Sequence, residues 1–357
     1  MNQNSSSWSD KYFQDQSFRI PNIQCPFDFS RNPVGKMVKP EYEIWVKDLI
    51  PKFYKAFLKE ETLEYSVMAL DVDRPELFLP MVKLTDWVFI IDDIVIEKGC
   101  CSKEYIDSLF DPEQPTKDRW SQAFWSAIDD LSACSVHPFL IDRIIEEAKQ
   151  WSYSAVRGIH NIEWSNLSDI EEYCRFRSYE SAAHLGLAIA MASRPDFTLT
   201  QDIMEDENFK QLLLKYGGIN ALVNDLYSFV SEFNDKSLSN YVKINCHVNG
   251  ATIQESMQKV VEYVHRGYHE MELLANKIEH QFPNNQTLQQ CIQCIKRITA
   301  STVGFCSVAP RYNDQANRKA LIGKSNSVEA KTNTINIINQ PTSDTITTST
   351  TTTILRG

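Results

Sequence analysis

An all-α, single-domain fold is predicted by three features of the chain. From Pro40 onward apolar residues recur at three and four, no region sustains the alternation a strand needs, and 43% of the 357 residues are hydrophobic, enough for a sizeable core. Residues 1–39 are polar, dotted with aromatics and broken by Pro21, Pro26 and Pro33, which predicts an extended strap whose Phe27 and Phe29 pack on the body. Arg74-Pro75 opens a helix with Pro in its first turn, and its pattern runs through Leu77, Val82, Phe89 and Ile96 to Gly99. Further helices are predicted over about 116–133, 138–163, 168–192, 205–232, 251–281 and 285–306, with Ser168-Asp169-Ile170-Glu171 read as a capping box. The helical domain spans 40–325. A Thr/Asn-rich tail follows over 326–357; from Lys331 to Gly357 it holds ten Thr, no aromatic residue and almost no charge, which predicts disorder.

Charge and composition exclude several roles. Lys and Arg total 36 against 47 Asp and Glu, a formal net charge of −11, so the average surface repels phosphate backbones and nucleic acid is excluded as a partner. A protein of this charge that handles a phosphate must supply local cations, as bound metal or as a few placed arginines. The first ten residues are polar without an apolar run, and the nine Cys are an odd number, which together predict reduced thiols and a cytoplasmic location. Glycosylation at the Asn4, Asn166 and Asn285 sequons is then not expected. Apolar stretches such as Trp87–Ile91 fall far short of the roughly 20 residues that span a bilayer, so no membrane insertion is expected.

Four segments carry candidate chemistry. The helix that begins at Pro75 runs through Trp87-Val88-Phe89-Ile90-Ile91 into Asp92 and Asp93, with Glu97 one turn on from Asp93. Carboxylates massed at the end of an apolar run suit a hard divalent cation; the alternative is an ordinary acidic helix end. Asn224, Ser228 and Glu232 fall at i, i+4 and i+8, which stacks an amide oxygen, a hydroxyl and a carboxylate on one stripe of a helix. Between these motifs, Arg177, Glu180 and Ser181 fall at i, i+3 and i+4, and near the end of the domain stands Arg311-Tyr312. An Arg fork binds phosphate oxygens in bidentate fashion and a Tyr hydroxyl adds one donor.

In order and approximate spacing these four pieces, over residues 60–315, resemble the microbial type of class I terpene synthase, and especially the social-amoeba set. The resemblance implies a class I terpenoid synthase helical bundle around a central active-site cavity. It implies that Asp92, Asp93 and Glu97 together with Asn224, Ser228 and Glu232 bind Mg²⁺, with three ions expected and Mn²⁺ able to substitute. Arg177 would sense pyrophosphate, Arg311 and Tyr312 would bind the same group, and Ser181 would act through its backbone carbonyl. The substrate implied is a prenyl diphosphate, farnesyl diphosphate favoured over geranylgeranyl diphosphate, processed through a carbocation to a sesquiterpene by a monomer or homodimer. Phe89 and Phe305 are the aromatic faces expected to meet that cation, with Ala182, Ala183 and Gly186 shaping the cavity beside Arg177.

The chain departs from the family pattern in three places. Its first motif reads DDxxxE, Ser231 stands where members carry Lys, with Lys236 as a substitute, and Glu180-Ser181 replaces an acidic residue followed by Gly. A second Asp-rich motif, which a chain-elongating prenyltransferase would need, is replaced by the Asn-Ser-Glu set. The competing reading from another class is a non-catalytic helical binding protein derived from such an enzyme. His265 and His269, at i and i+4, and the lone Cys291-x-x-Cys294 pair lack the further ligands a zinc site needs.

Overall fold

The computed structural model describes residues 18–96, 101–112, 118–160, 163–194, 197, 199–233 and 239–314. Glu97, Lys236 and the Thr-rich tail lie outside the described residues. In chain order the helices are α1 (Val34–Leu49), α2 (Tyr54–Leu58), α3 (Thr62–Ala69), α4 (Pro75–Ile91), α5 (Lys103–Leu109), α6 (Arg119–Ala133) and α7 (Pro138–His160). They continue as α8 (Ile170–Glu180), α9 (Ala183–Met191), α10 (Gln201–Glu205), α11 (Glu207–Glu232), α12 (Tyr241–Asn249), α13 (Ile253–Gln281), α14 (Gln286–Val308) and α15 (Pro310–Asn313). No strand occurs among the described residues. The all-α prediction holds.

The centre of the bundle is α11, whose stretch from Tyr216 through Phe229 is buried apart from the half-buried Asn224. It packs against α8 on one side and α13 and α14 on the others, while α4 pairs with α6 and α1, and α9 lies across α7. Two glycines set the approach of α8 to α11. A Cβ on Gly217 would stand 2.8 Å from Ser178 Cα, and one on Gly218 would stand 2.7 Å from Cys174 Cβ. Contacts this short force neighbours apart, so the pair lets α8 and α11 touch backbone to backbone. That approach brings Arg177 to the stripe that carries Asn224.

Several local readings are corrected. The span 168–192 is two helices: Ala182 adopts φ 58 and ψ 11, the left-handed region, and turns the chain between α8 and α9 with no Gly or Pro to signal it. The N-cap of α8 is Asp169, which accepts from the backbone N–H groups of Glu171 and Glu172, and Ser168 belongs to the preceding 3₁₀ turn. A capping box does occur at Thr252 and Glu255 at the start of α13. Helix α1 begins at Val34, inside the predicted strap, and carries Pro40 within it. The regular part of the Pro75 helix stops at Ile91, and Asp92–Ile96 form a π-helical turn. The short helix α12 was not predicted at all.

From Phe18 to Pro33 the described chain has no helix or strand and lies on the body. Phe27 packs edge-on to Tyr268 with centroids 5.6 Å apart, Phe18 does the same to Phe229 at 5.5 Å, and Arg297 holds the Ser30 carbonyl at 2.8 Å. His265 accepts from the Gln24 backbone N–H at 3.2 Å, a role that uses this imidazole to seat the strap. The eight described cysteines are free thiols. Among the described residues no helix is long and apolar enough to cross a membrane.

Candidate active site

A cavity of about 230 Å³ opens among α4, α8, α9, α11, α14 and α15. Its wall carries a polar set, Asp92, Arg177, Asn224, Ser228, Glu232, Arg311 and Tyr312, and an apolar set, Tyr65, Phe89, Leu185, Ile189, Ile298 and Phe305. The two sets touch where the Arg311 guanidinium lies 4.8 Å from the Phe89 ring and Tyr312 meets Phe305. Residues 220 positions apart in sequence therefore meet across one space, and the predicted candidates line it except Glu97, which is not described, and Asp93, which is absent from the wall.

Helix α11 supplies the Asn-Ser-Glu stripe as the i, i+4, i+8 spacing requires, and all three side chains line the cavity. Asn224 donates through Nδ2 to Tyr312 Oη at 3.0 Å, which leaves its amide oxygen available. Ser228 is buried, and its Oγ has no hydrogen-bond partner among the described residues. Glu232 accepts at Oε2 from Asn240 Nδ2 at 3.0 Å. Asn240 is also the N-cap of α12, so the unpredicted helix steadies the last member of the stripe. From the same helix the buried Lys243 donates to the Glu232 backbone carbonyl at 3.0 Å, a cation at the end of α11 near where sequence pattern suggested Lys236.

The two aspartates of the first motif part company. The π-helical turn leaves Asp92 half-buried on the cavity wall, whereas Asp93 is 1% exposed and turned onto Arg311. Arg311 grips it in a fork, Nη1 to Oδ2 at 2.9 Å and Nη2 to Oδ1 at 3.1 Å. The same Nη1 donates to Glu60 Oε2 at 2.6 Å, and the guanidinium lies 4.8 Å from the ring centroid of Phe89. Burial works against charge on Arg311, but Asp93 and Glu60 outweigh it and hold the guanidinium protonated.

Arg177 is organised by a different acid. It pairs with Glu180 one turn on and donates through Nη2 to Asp225 Oδ1 at 2.9 Å. Asp225 is fully buried and also accepts from Tyr173 and from the Tyr241 backbone N–H at 3.0 Å. The buried Nε–H of Arg177 has no partner among the described residues, so a donor remains for a cavity ligand. Ser181 lines the cavity at the C-cap of α8, where the last carbonyls of a helix have no intrahelical partner. Ala182, Ala183 and Gly186 line the wall beyond it.

The aromatic residues of the wall form a cluster. Tyr65 stands edge-on to Phe89 at 6.0 Å and 5.6 Å from Phe305, and Phe305 stands edge-on to Tyr312 at 5.9 Å. Phe305 was expected here; Tyr65 was not, because nothing local marks it. Burial lifts the Tyr65 hydroxyl to about 12 against a bond to Thr302, so it stays a neutral phenol. Behind Arg311, Asp86 is buried with hydrogen bonds from Tyr42 and from Thr62 at 2.9 Å, and burial raises its carboxyl to about 7.

The donor set fits a hard divalent cation: an amide oxygen, a hydroxyl and carboxylates on rigid helix ends, with an orphaned buried hydroxyl at Ser228. Among the described residues no group of three His, Cys, Asp or Glu side chains is clustered as a metal site. The physical reason is visible, since two of the six predicted ligands are Asn and Ser, Asp93 is drawn onto Arg311, and Glu97 is not described.

The fold and site define a helical bundle around one cavity lined by oxygen donors, buried arginines and aromatic rings. The family model described as terpene synthase family 2, C-terminal metal binding, matches residues 83–270. Terpene synthase 6 of Dictyostelium purpureum is 30% identical over 310 residues, covering 85% of this chain and 98% of that one. Terpene synthase 8 of Dictyostelium discoideum is 25% identical over 311 residues, covering 86% and 98%. Among solved structures, hedycaryol synthase in complex with nerolidol superposes with a TM-score of 0.65 at 16% identity, covering 81% of this chain and 99% of that one. The SVS_A2 protein from ancestral sequence reconstruction gives 0.69 at 14% identity, covering 80% and 89%. The chain belongs to the terpene synthase family, and it is a terpene synthase enzyme of the microbial class I type, near the social-amoeba set.

Proposed function

We propose that the enzyme takes a prenyl diphosphate, farnesyl diphosphate in the favoured case, ionises it with Mg²⁺, and cyclises or quenches the carbocation to a sesquiterpene with release of pyrophosphate. The observation that carries this reading is one cavity whose wall combines oxygen donors and arginines, Asp92, Arg177, Asn224, Ser228, Glu232 and Arg311, with the aromatic rings of Tyr65, Phe89 and Phe305. An amphiphile with an anionic head and an apolar tail matches both.

Asp92, Asp93 and Glu97 on one side and Asn224, Ser228 and Glu232 on the other would hold the metal. Bound Mg²⁺ supplies positive charge against the leaving diphosphate. The chain's own contribution is the Nε–H of Arg177, a donor with no partner among the described residues, together with the hydroxyl of Tyr312 and the guanidinium of Arg311, which Asp93 and Glu60 hold at the cavity wall. Charge on the leaving group grows as the C–O bond breaks, so fixed donors favour the transition state over the ground state. Glu180 and Asp225 keep Arg177 in place while that happens.

The apolar side chains of the wall exclude water and face the cation with ring π-clouds, each worth about 0.5–2 kcal/mol when desolvated. Phe89 and Phe305 then act as cation-facing surfaces. Tyr65, edge-on to Phe89, fixes that ring's tilt. Ser181 lines the same wall at the C-cap of α8. A coupled assay of pyrophosphate release from farnesyl diphosphate tests the reading: release with Mg²⁺ and none with a chelator is expected, and release that ignores the chelator would overturn the metal role.

A further inference from the structure

Arg311 is shared by two buried carboxylates, and they are not equivalent. Glu60 is fully buried in the turn after α2, outside the cavity wall, with its backbone N–H fixed to the Phe57 carbonyl at 2.9 Å. Glu61 next to it takes the left-handed conformation, φ 58, which turns the chain into α3. Glu60 is thus held by a tight corner and meets the Nη1 of Arg311 at 2.6 Å. Asp93 holds both Nη1 and Nη2 but sits in the π-helical turn beside Asp92, on the element that meets the cavity. A cation arriving at the first motif competes with Arg311 for Asp93, the carboxylate within its reach.

We infer that Glu60 is the positioning residue of the diphosphate site: it keeps Nη1 of Arg311 anchored, while Asp93 is the exchangeable partner that surrenders Nη2 so that this edge can turn to the diphosphate. Without Glu60, an Arg311 released by Asp93 would have only the face of Phe89 to hold it, and its fork would lose its aim. Glu60 does not line the cavity, so its effect on the diphosphate site is exerted through Arg311. This rests on the proposed function, because it presupposes a metal-loaded diphosphate.

The test is calorimetric titration of inorganic pyrophosphate into the full-length protein at saturating Mg²⁺, run on the wild type, Glu60→Gln, Arg311→Ala and the double variant. Glu60→Gln preserves volume and a hydrogen-bonding oxygen while removing the charge. Loss of a charge-assisted anchor is expected to weaken pyrophosphate about tenfold in the Arg311 background, and to change it by less than about twofold once Arg311 is Ala. If Arg311→Ala does not fold, Arg311→Met fills its volume and takes its place in the cycle. Wild-type affinity in Glu60→Gln, or the same tenfold loss in both backgrounds, overturns the assignment of Glu60 and leaves the diphosphate reading standing. A wild type that binds no pyrophosphate with Mg²⁺ overturns that reading and this assignment with it.

Discussion

Replacing Gly217 and Gly186 by Ala, one at a time, tests whether the spacing of α8 and α11 builds the site. The two substitutions add the same methyl to helices that meet the cavity. At Gly217 the new Cβ would lie 2.8 Å from Cα, Cβ and the carbonyl oxygen of Ser178, at least 0.6 Å inside the roughly 3.4 Å of an ordinary contact, and two of those atoms are backbone. Overpacking of this kind costs about 1–3 kcal/mol, and Ala returns about 1 kcal/mol of helix propensity. Separating α8 from α11 also stretches the 2.9 Å bond from Arg177 to Asp225, whose loss would add about 1.5–3 kcal/mol. The net expectation for Gly217→Ala is a loss of about 2–4 kcal/mol, with weaker diphosphate binding as Arg177 moves. At Gly186 the nearest foreign atom is Tyr65 Oη at 4.0 Å, so the methyl meets open cavity. Gly186→Ala is expected to gain up to about 1 kcal/mol of stability while altering the product, because it fills space the substrate tail would use. Urea denaturation at pH 7.5 and product profiling separate the two. Equal stabilities for the two variants, or a Gly217→Ala protein as stable as wild type with full turnover, would refute the claim that this helix contact positions Arg177.

Other perturbations read different parts of the site. Asn224→Ala and Glu232→Gln are each expected to abolish turnover with an unchanged helical circular dichroism spectrum; retained activity in both would remove the stripe from the mechanism. Asp86 has a raised carboxyl pKa, about 7 in the folded chain against 3.8, so its contribution to stability is present in acid and is lost as pH climbs from about 4 to about 7. The stability of the wild type minus that of Asp86→Asn should therefore fall by about 1.4 kcal/mol per pH unit across that window, and a difference that stays flat in urea titrations would contradict it. Asn220 lines the cavity one turn before Asn224, with its Oδ1 buried and unpartnered among the described residues. Asn220→Leu should shift the product mixture while pyrophosphate release stays within about threefold; an identical mixture would show that the amide does not face the reacting chain.

The helical class was legible because burial of one face imposes the same period on every amphipathic helix, and the Asn224, Ser228, Glu232 stripe was legible because its geometry is local to α11. The break at Ala182 was not, since a left-handed Ala carries no sequence signal and is imposed by packing between α8 and α9. Helix α12 escaped periodicity because it is nine residues long, although Asn240 and the left-handed Gly250 (φ 66) bracket it as N-cap and C-cap. Asp225 stands inside a motif that was read, yet its role was hidden: one residue on from Asn224 rotates it by about 100° away from the stripe and into the core, where it serves Arg177. Glu60 and Tyr65 lay beyond reach for a simpler reason. Their partners, Arg311 and Phe305, are more than 200 positions away, and pairing at that separation is decided by tertiary packing alone.

The central claim is that this cavity ionises a prenyl diphosphate and shapes its carbocation. Purified protein incubated with geranyl, farnesyl or geranylgeranyl diphosphate, with Mg²⁺ or with a chelator, and extracted into a hexane overlay for gas chromatography with mass detection, addresses that claim directly. The account predicts a metal-dependent sesquiterpene hydrocarbon or alcohol from farnesyl diphosphate. No terpene product from any of the three substrates would contradict it.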